Sequence, residues 1–185
     1  MANSDTPMGF VPYRHRGGGV VRASSYKLDG GYATSLFRGD AVILSSGFIA
    51  VGAQDSATLL GIVKGFKYRA SDGSAVITDR WVASTATLGD EDVDVEIFDD
   101  PMISYKCQSD TGTAYVDATH KGGVFDIELD HAGSLVTGQS GMEIDLSDTG
   151  TGQFLVIGLI DEPGNAAGVN AKLEVVIKES LLKGN

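Results

Sequence analysis

Ala171-Lys172-Leu173-Glu174-Val175-Val176-Ile177-Lys178 is the stretch that decides the fold class. Its apolar and charged residues alternate around a Val-Val-Ile centre, and β-branched side chains are better accommodated in a strand than in a helix. A helix over Leu173 to Leu182 is the competing interpretation, which the same β-branched centre opposes. We therefore predict a closing β-strand.

Short apolar runs separated by turn signals precede this strand. Gln153 to Ile160 is the nearest, and Asp161-Glu162-Pro163-Gly164-Asn165 forms a turn cluster between the two. The other runs are Ala41 to Leu44, Phe48 to Val51, Leu59 to Phe66, Trp81-Val82, Val93 to Phe98, Ile103 to Cys107, Val124 to Leu129 and Met142 to Leu146. Such spacing is typical of antiparallel sandwiches and barrels. We predict an all-β protein with one antiparallel β-barrel-like or sandwich-like domain over residues 39–185, with helix confined to short pieces.

Finer features of these strands follow from periodicity and turn chemistry. Ser45-Ser46-Gly47 predicts a hairpin, and the glycines between Leu59 and Phe66 suggest a bulge or close packing. A period of two places one face of a strand in the core and the other in water. By this rule we expect Val93, Val95, Ile97, Phe125, Ile127 and Leu129 to be buried, and Asp94, Glu96, Asp126 and Glu128 to be exposed.

Residues 1–38 have a different character from the rest. Prolines, the cations Arg14 and Arg16 and the Gly17-Gly18-Gly19 triplet leave this segment without a core of its own. We expect an extended N-terminal arm that orders on a neighbouring subunit. The residues expected to make that contact are Phe10, Val11, Pro12, Tyr13, Arg14 and Arg16. The rival interpretation is an edge strand docked on the chain's own sheet.

Composition excludes several classes of function. The 185 residues include 14 Lys plus Arg and 25 Asp plus Glu, for a net charge of -11, so phosphate backbones are repelled and nucleic acid is not an expected partner. No apolar run approaches the ~20 residues of a membrane-spanning helix, and the first residues lack a secretory pattern, so folding in a cytoplasm is expected. The single cysteine, Cys107, excludes an intramolecular disulfide framework and is expected to be buried.

Candidate catalytic and metal-binding patterns are incomplete. Asp90, Asp92 and Asp94 match the start of a calcium loop, but Val95 and Pro101 occupy the places of its glycine and its glutamate. The stretch Asp90 to Glu96 is then better explained as a solvated strand edge, although metal binding there stays open.

Catalytic patterns fail in the same way. In Gly138-Gln139-Ser140-Gly141-Met142, methionine stands where a nucleophile elbow needs glycine. His15, His120 and His131 are expected to be exposed turn residues. Asp99 and Asp100 are adjacent on a strand and should point to opposite sides, so they would not form a carboxylate pair. We assign no catalytic residue, no cofactor and no metal ligand, and expect the protein not to be an enzyme.

Four segments carry a resemblance to a known family. They are Met1-Ala2-Asn3-Ser4-Asp5-Thr6-Pro7-Met8-Gly9-Phe10-Val11-Pro12-Tyr13-Arg14-His15, Leu36-Phe37-Arg38-Gly39-Asp40-Ala41-Val42, Leu59-Leu60-Gly61-Ile62-Val63-Lys64-Gly65-Phe66 and Gly158-Leu159-Ile160-Asp161-Glu162-Pro163-Gly164-Asn165. With the strand pattern, they make the chain resemble the cement, or decoration, proteins of tailed-bacteriophage heads.

The resemblance implies a function and partners. Such a β-barrel-like protein sits on the outside of the capsid, often as a homotrimer, and clamps neighbouring major capsid protein subunits. The expected location is the capsid surface of the virion, after assembly in the host cytoplasm. One alternative is a carbohydrate-binding or adhesive β module, which needs a cluster of exposed aromatics. A β-scaffold hydrolase is the other, and it needs a convergent polar pocket.

Overall fold

Strands dominate the described part of the chain, which in the computed structural model comprises residues 3–54, 56, 58–147 and 152–182. They account for 43% of the residues and helix for 4%, which confirms the predicted all-β class and the restriction of helix to short pieces. The sheets are antiparallel and open, so the architecture is sandwich-like and not a closed barrel.

The elements follow the predicted runs closely from Ala41 onward. In chain order they are β1 (Val11–His15), β2 (Ser24–Leu28), β3 (Leu36–Phe37), β4 (Ala41–Ser45), β5 (Phe48–Val51), β6 (Gly61–Arg69), β7 (Ala75–Thr78), β8 (Arg80–Trp81), β9 (Val93–Phe98), β10 (Ile103–Gln108), α1 (Asp117–His120), β11 (Val124–Glu128), β12 (Glu143–Asp145), β13 (Phe154–Leu159) and β14 (Lys172–Ile177), with one 3-10 turn at Leu88–Asp90.

Two large sheets and one small ribbon organise these strands. The first sheet has the order β1-β10-β14-β13-β11-β12, and the second has the order β2-β9-β6-β4-β5 with β7 paired to β6. The ribbon consists of β3 and β8. Each closing strand is internal, because β14 pairs with β10 and β13, and β13 pairs with β14 and β11. The predicted strand at Ala171 to Lys178 is therefore the one around which the first sheet is built.

Buried side chains form two clusters on opposite faces of the second sheet. Adjacent residues of β4 and β6 divide between them: Ala41 and Ile62 join the cluster shared with the first sheet, and Val42 and Val63 join the other. That second cluster contains Trp81 of the ribbon. Alternate side chains of a strand point to opposite faces, so the second sheet is covered on both sides along β4 and β6.

The hairpin turn and the bulge predicted from the sequence are both present. Ser46 and Gly47 have φ of 51° and 88°, and Ser45 pairs with Phe48, which gives the two-residue hairpin between β4 and β5. The register of β6 against β9 shifts between Val63 and Gly65, which confirms a bulge at the predicted glycines.

The expected burial faces are confirmed for β9 and partly wrong for β11. Val93, Val95 and Ile97 are buried while Asp94 and Glu96 are partly exposed. In β11, however, Asp126 is buried, and its carboxylate accepts a hydrogen bond from the Gln153 amide, whereas Leu129 is 41% exposed. β11 is paired with β12 and with β13, and the backbone amide of Gln153 gives Asp126 a buried partner that periodicity could not reveal.

The extended N-terminal arm is not confirmed. The segment lies on the chain's own sheets instead, with β1 paired to β10 and β2 paired to β9. Before β1, the Asn3 side-chain amide donates hydrogen bonds to the carbonyls of Ala166 and Val169 at 2.8 Å each. The rival interpretation, an intramolecular edge strand, describes this arrangement, because the apolar Phe10 gives the segment a place in the core.

Candidate functional site

The outer edge of β1 is the place where most of the residues predicted to contact a partner occur. The strand pairs only with β10 among the described strands, and its register shifts between Pro12 and Arg14. Tyr13 is the extra residue of this bulge. Bulges and prolines on edge strands obstruct pairing with a further strand and redirect side chains. A partner at this edge would therefore meet side chains and not a free backbone ladder.

The six predicted contact residues have different roles in the structure. Phe10 is 1% exposed, and its ring stacks on that of Phe154 with centroids 4.2 Å apart and planes 4° from parallel. The prediction that Phe10 contacts a partner is thus wrong, because its side chain is buried in the protein's own core. Pro12 is partly buried, whereas Val11, Tyr13 and Arg16 are exposed.

Arg14 is committed to an internal contact. Its Nε and Nη2 atoms donate to the two carboxylate oxygens of Glu174 at 2.7 and 2.8 Å, and the hydrogen bonds and charge of Glu174 raise the pKa of the guanidinium. Such bidentate pairing fixes orientation as well as charge. Arg14 therefore fastens β1 to β14 across the sheet, which leaves Arg16 as the free cation of the predicted set within the described residues.

A groove of about 260 Å³ adjoins the inner side of β1, and we call it the β1 groove. Its walls are mainly apolar, and the charged side chains among them, Arg38 and Lys64, are both cationic. The lining residues are Met8, Phe10, Val11, Pro12, Arg38, Gly39, Val63, Lys64, Phe98 and Gln139. An apolar cleft rimmed by cations suits an apolar side chain flanked by carboxylates.

Exposed aromatic residues are few on the described surface. Tyr13, at 48%, is the one aromatic among its exposed large hydrophobic residues. The aromatic platform that the carbohydrate-binding alternative requires is thus not assembled in this part of the chain.

The acidic stretch Asp90 to Glu96 is paired with lysines. β9 lies between β2 and β6, so the stretch does not form the sheet edge that we expected. Asp94 contacts Lys27 at 2.8 Å, and Glu96 contacts both Lys64 and Lys67. Hydrogen bonds from these two lysines lower the pKa of Glu96. Within the described residues, this stretch does not bring three metal-ligand atoms together.

The catalytic patterns rejected from sequence have structural roles. Ser140 is buried, and its Oγ accepts a hydrogen bond from the Met142 amide at 3.0 Å. Cys107 is fully buried as predicted, and burial raises the pKa of its thiol. His15 is not an exposed turn residue: Nε2 lies 3.0 Å from Asp100, and Nδ1 accepts hydrogen bonds from the amides of Gly17 and Gly19.

A second site, the Glu143 pocket, lies at the far edge of the first sheet. It has a volume of about 180 Å³ and is lined by Asp110, Thr111, Gly112, Glu128, Asp130, His131 and Glu143. Glu143 is 1% exposed, yet neither carboxylate oxygen has a hydrogen-bond partner. Burial, together with repulsion from Asp5, Asp110 and Glu128, raises its pKa to about 8.

Sequence reasoning missed the Glu143 pocket because no motif joins its members. Asp5 precedes β1, His131 follows β11 and Glu143 begins β12, so only the folded topology brings them together. The weak signal available was Glu143 itself, a charged residue inside the predicted apolar run Met142 to Leu146. We had expected His131 to be an exposed turn residue, and its side chain is 42% exposed but lies 3.4 Å from Glu143.

No helix in the described residues has the length and apolar character needed to cross a membrane. Comparison of the chain with protein-family models, with curated proteins and with solved structures finds no match to any of the three.

Proposed function

We propose that this chain is a structural virion protein that binds the outer surface of a phage capsid and stabilises contacts between major capsid protein subunits. The single observation that carries the proposal is the β1 edge. There, Val11, Tyr13 and Arg16 are exposed, and Val11 also lines an apolar groove with Arg38 and Lys64 in its walls. The edge presents cations, whereas the chain as a whole has a net charge of -11.

The chemistry of the edge defines its partner. The occupant is a segment of a coat subunit that presents one apolar side chain to the β1 groove and carboxylates to Arg16 and Arg38. Tyrosine and arginine are enriched among residues that dominate binding energy, and Tyr13 presents about half of its surface. The bulge at Tyr13 disfavours strand addition, so contact through side chains is the mode that we propose.

Purified protein mixed with expanded capsids that lack it tests the proposal. Stoichiometric decoration of the lattice, seen by electron cryomicroscopy, is the expected result. The double substitution Tyr13→Ala and Arg16→Ala should weaken binding by about 30-fold or more, which corresponds to about 2 kcal/mol. Because both side chains are exposed, the free protein should retain its melting temperature.

A matched control alters one apolar and one cationic residue elsewhere. Val116 is also 48% exposed, and Lys121 lies just beyond α1. Val116→Ala with Lys121→Ala should bind capsids as the wild type does. Equal loss in both double variants, or no binding by the wild type, would overturn the proposal.

A further inference from the structure

The Glu143 pocket contains a buried carboxyl group whose two oxygens have no hydrogen-bond partner among the described residues. Glu143 is directly opposite Glu128 in the pairing of β11 with β12, and like charges at such positions repel. Asp5, Asp110 and Asp130 add further carboxylates around the pocket, and its lining includes no lysine or arginine.

Two other carboxylates near Glu143, those of Asp110 and Glu128, have partners of their own. Asp110 accepts hydrogen bonds from the amides of Gly112, Thr113 and Leu146, which holds the loop after β10. Glu128 accepts from the amides of Leu129 and Asp130. Glu143 differs from both, since it is almost fully buried and both of its oxygens lack a hydrogen bond. A buried carboxylate without partners costs several kcal/mol unless a cation or a proton compensates for it.

The geometry around Glu143 points to a cation. One ligand atom each from Asp5, His131 and Glu143 lies within 4.8 Å of the others, and His131 Nε2 is 3.4 Å from Glu143 Oε2. Two ligands about 2.1 Å from a tetrahedral ion are about 3.4 Å apart. His131 and Glu143 are thus already at ligand spacing. Asp5 needs only a small movement to complete the group, and it lies in an exposed segment.

We propose that Asp5, His131 and Glu143 bind one divalent transition-metal ion of the Zn²⁺ class. The imidazole selects this class over Mg²⁺ and Ca²⁺, which prefer oxygen ligands alone. Its role is structural, because the ion joins the segment before β1 to the loop and strand that follow β11. This inference does not depend on capsid binding.

Metal titration of the full-length protein tests the site. After removal of bound metal with a chelator, isothermal titration calorimetry with ZnCl₂ should give one site per chain, and Zn²⁺ should raise the melting temperature where MgCl₂ does not. Glu143→Gln and His131→Asn should each lower Zn²⁺ affinity by at least about 100-fold, since even groups beyond the ligands account for about 10- to 100-fold. Glu143→Gln keeps the shape of the side chain and removes the repulsion from Asp5, Asp110 and Glu128, so the metal-free variant should fold.

Two controls separate the site from surface binding of zinc. Asp130→Asn alters a carboxylate of the pocket outside the ligand group, and His120→Asn alters a histidine on α1, so both should bind as the wild type does. Crystals grown with Zn²⁺ should show an anomalous peak between Asp5, His131 and Glu143. The absence of 1:1 binding, or binding that persists in Glu143→Gln and His131→Asn, would refute the proposal.

Discussion

Asp40 shows at the level of a single residue how this fold sets the chemistry of a side chain. Its carboxylate accepts a hydrogen bond from the Phe37 amide at 2.8 Å and lies beside Ser140. Burial outweighs these hydrogen bonds and raises the pKa of Asp40 from 3.8 to about 6. Between these two values, the folded protein retains a proton that the unfolded chain has released.

Unfolding therefore releases a proton in this window, and stability must fall as pH rises from about 4 to about 6. Asp40→Asn removes the titration and preserves the shape of the side chain. We compare the free energy of unfolding of the wild type with that of Asp40→Asn. The difference, wild type minus variant, should decrease by up to about 3 kcal/mol between pH 4 and pH 7. Urea denaturation across this range measures it, and a difference that does not change with pH would contradict the assignment.

Single residues also show where sequence reasoning succeeds and where it stops. Cys107 was predictable because an isolated apolar-flanked cysteine is commonly core. Tyr13 and Arg16 were selected from their residue types, and the structure leaves both exposed at a sheet edge. Phe10 was placed in the same external contact, but its partner, Phe154, lies far away in the chain. No local sequence pattern reveals a contact between residues so far apart in the chain. The grouping of Asp5, His131 and Glu143 could not be predicted for the same reason.

At the scale of elements, period and turn chemistry predicted the strands from Ala41 onward, with the exception of β7. β1 and β2 were missed because their residues are largely polar or include proline, and β3 because it has only two residues. Tertiary pairing overrides these weak local preferences. β1 forms because β10 offers it an edge, Glu174 binds Arg14 and the core accepts Phe10.

This account of β1 predicts the effect of removing its anchor. Phe10→Ala should lower the free energy of unfolding by about 3–5 kcal/mol, because it deletes a buried ring and leaves a cavity beside Phe154. Val20→Ala, at a residue 71% exposed in the same segment, should change it little. Chemical denaturation compares the two variants.

Deletion of residues 2–19 extends the same prediction to the whole segment. It removes both Phe10 and β1, so the truncated protein should melt earlier than the wild type. If the truncated protein kept its melting temperature, the segment would be an arm and not part of the sheet.

At the scale of the whole molecule, the homotrimer that the resemblance implies needs an exposed apolar surface. The apolar closing strands β13 and β14 are both internal to the first sheet. These strands do not supply a free surface, but Ile77 and Val136 are 80% and 88% exposed, and the Arg80 side chain joins β8 to the loop of Val136. Exposed apolar residues mark contacts between proteins where they form one contiguous patch. We propose that they contribute to a homotrimer.

Sedimentation velocity at micromolar concentration tests this proposal. The wild type should sediment as a trimer, and Ile77→Ser combined with Val136→Ser should shift it toward the monomer without lowering the melting temperature of the fold. A wild type that remains monomeric both in solution and on the capsid lattice would rule the trimer out.

The central position of β14 has a consequence for the synthesis of this chain. Arg14 is made 160 residues before its partner Glu174, and β10 and β13 both await the same late strand. At a translation rate of about 5–20 residues per second, β1 leaves the ribosome on the order of 10 s before the sheet that holds it can close. During that interval β10 lacks its neighbour in the sheet, and β13 lacks the same neighbour from its own synthesis onward, so we expect the nascent chain to bind chaperones. A message that stops short of Lys172 would yield a fragment in which these two strand edges stay unpaired.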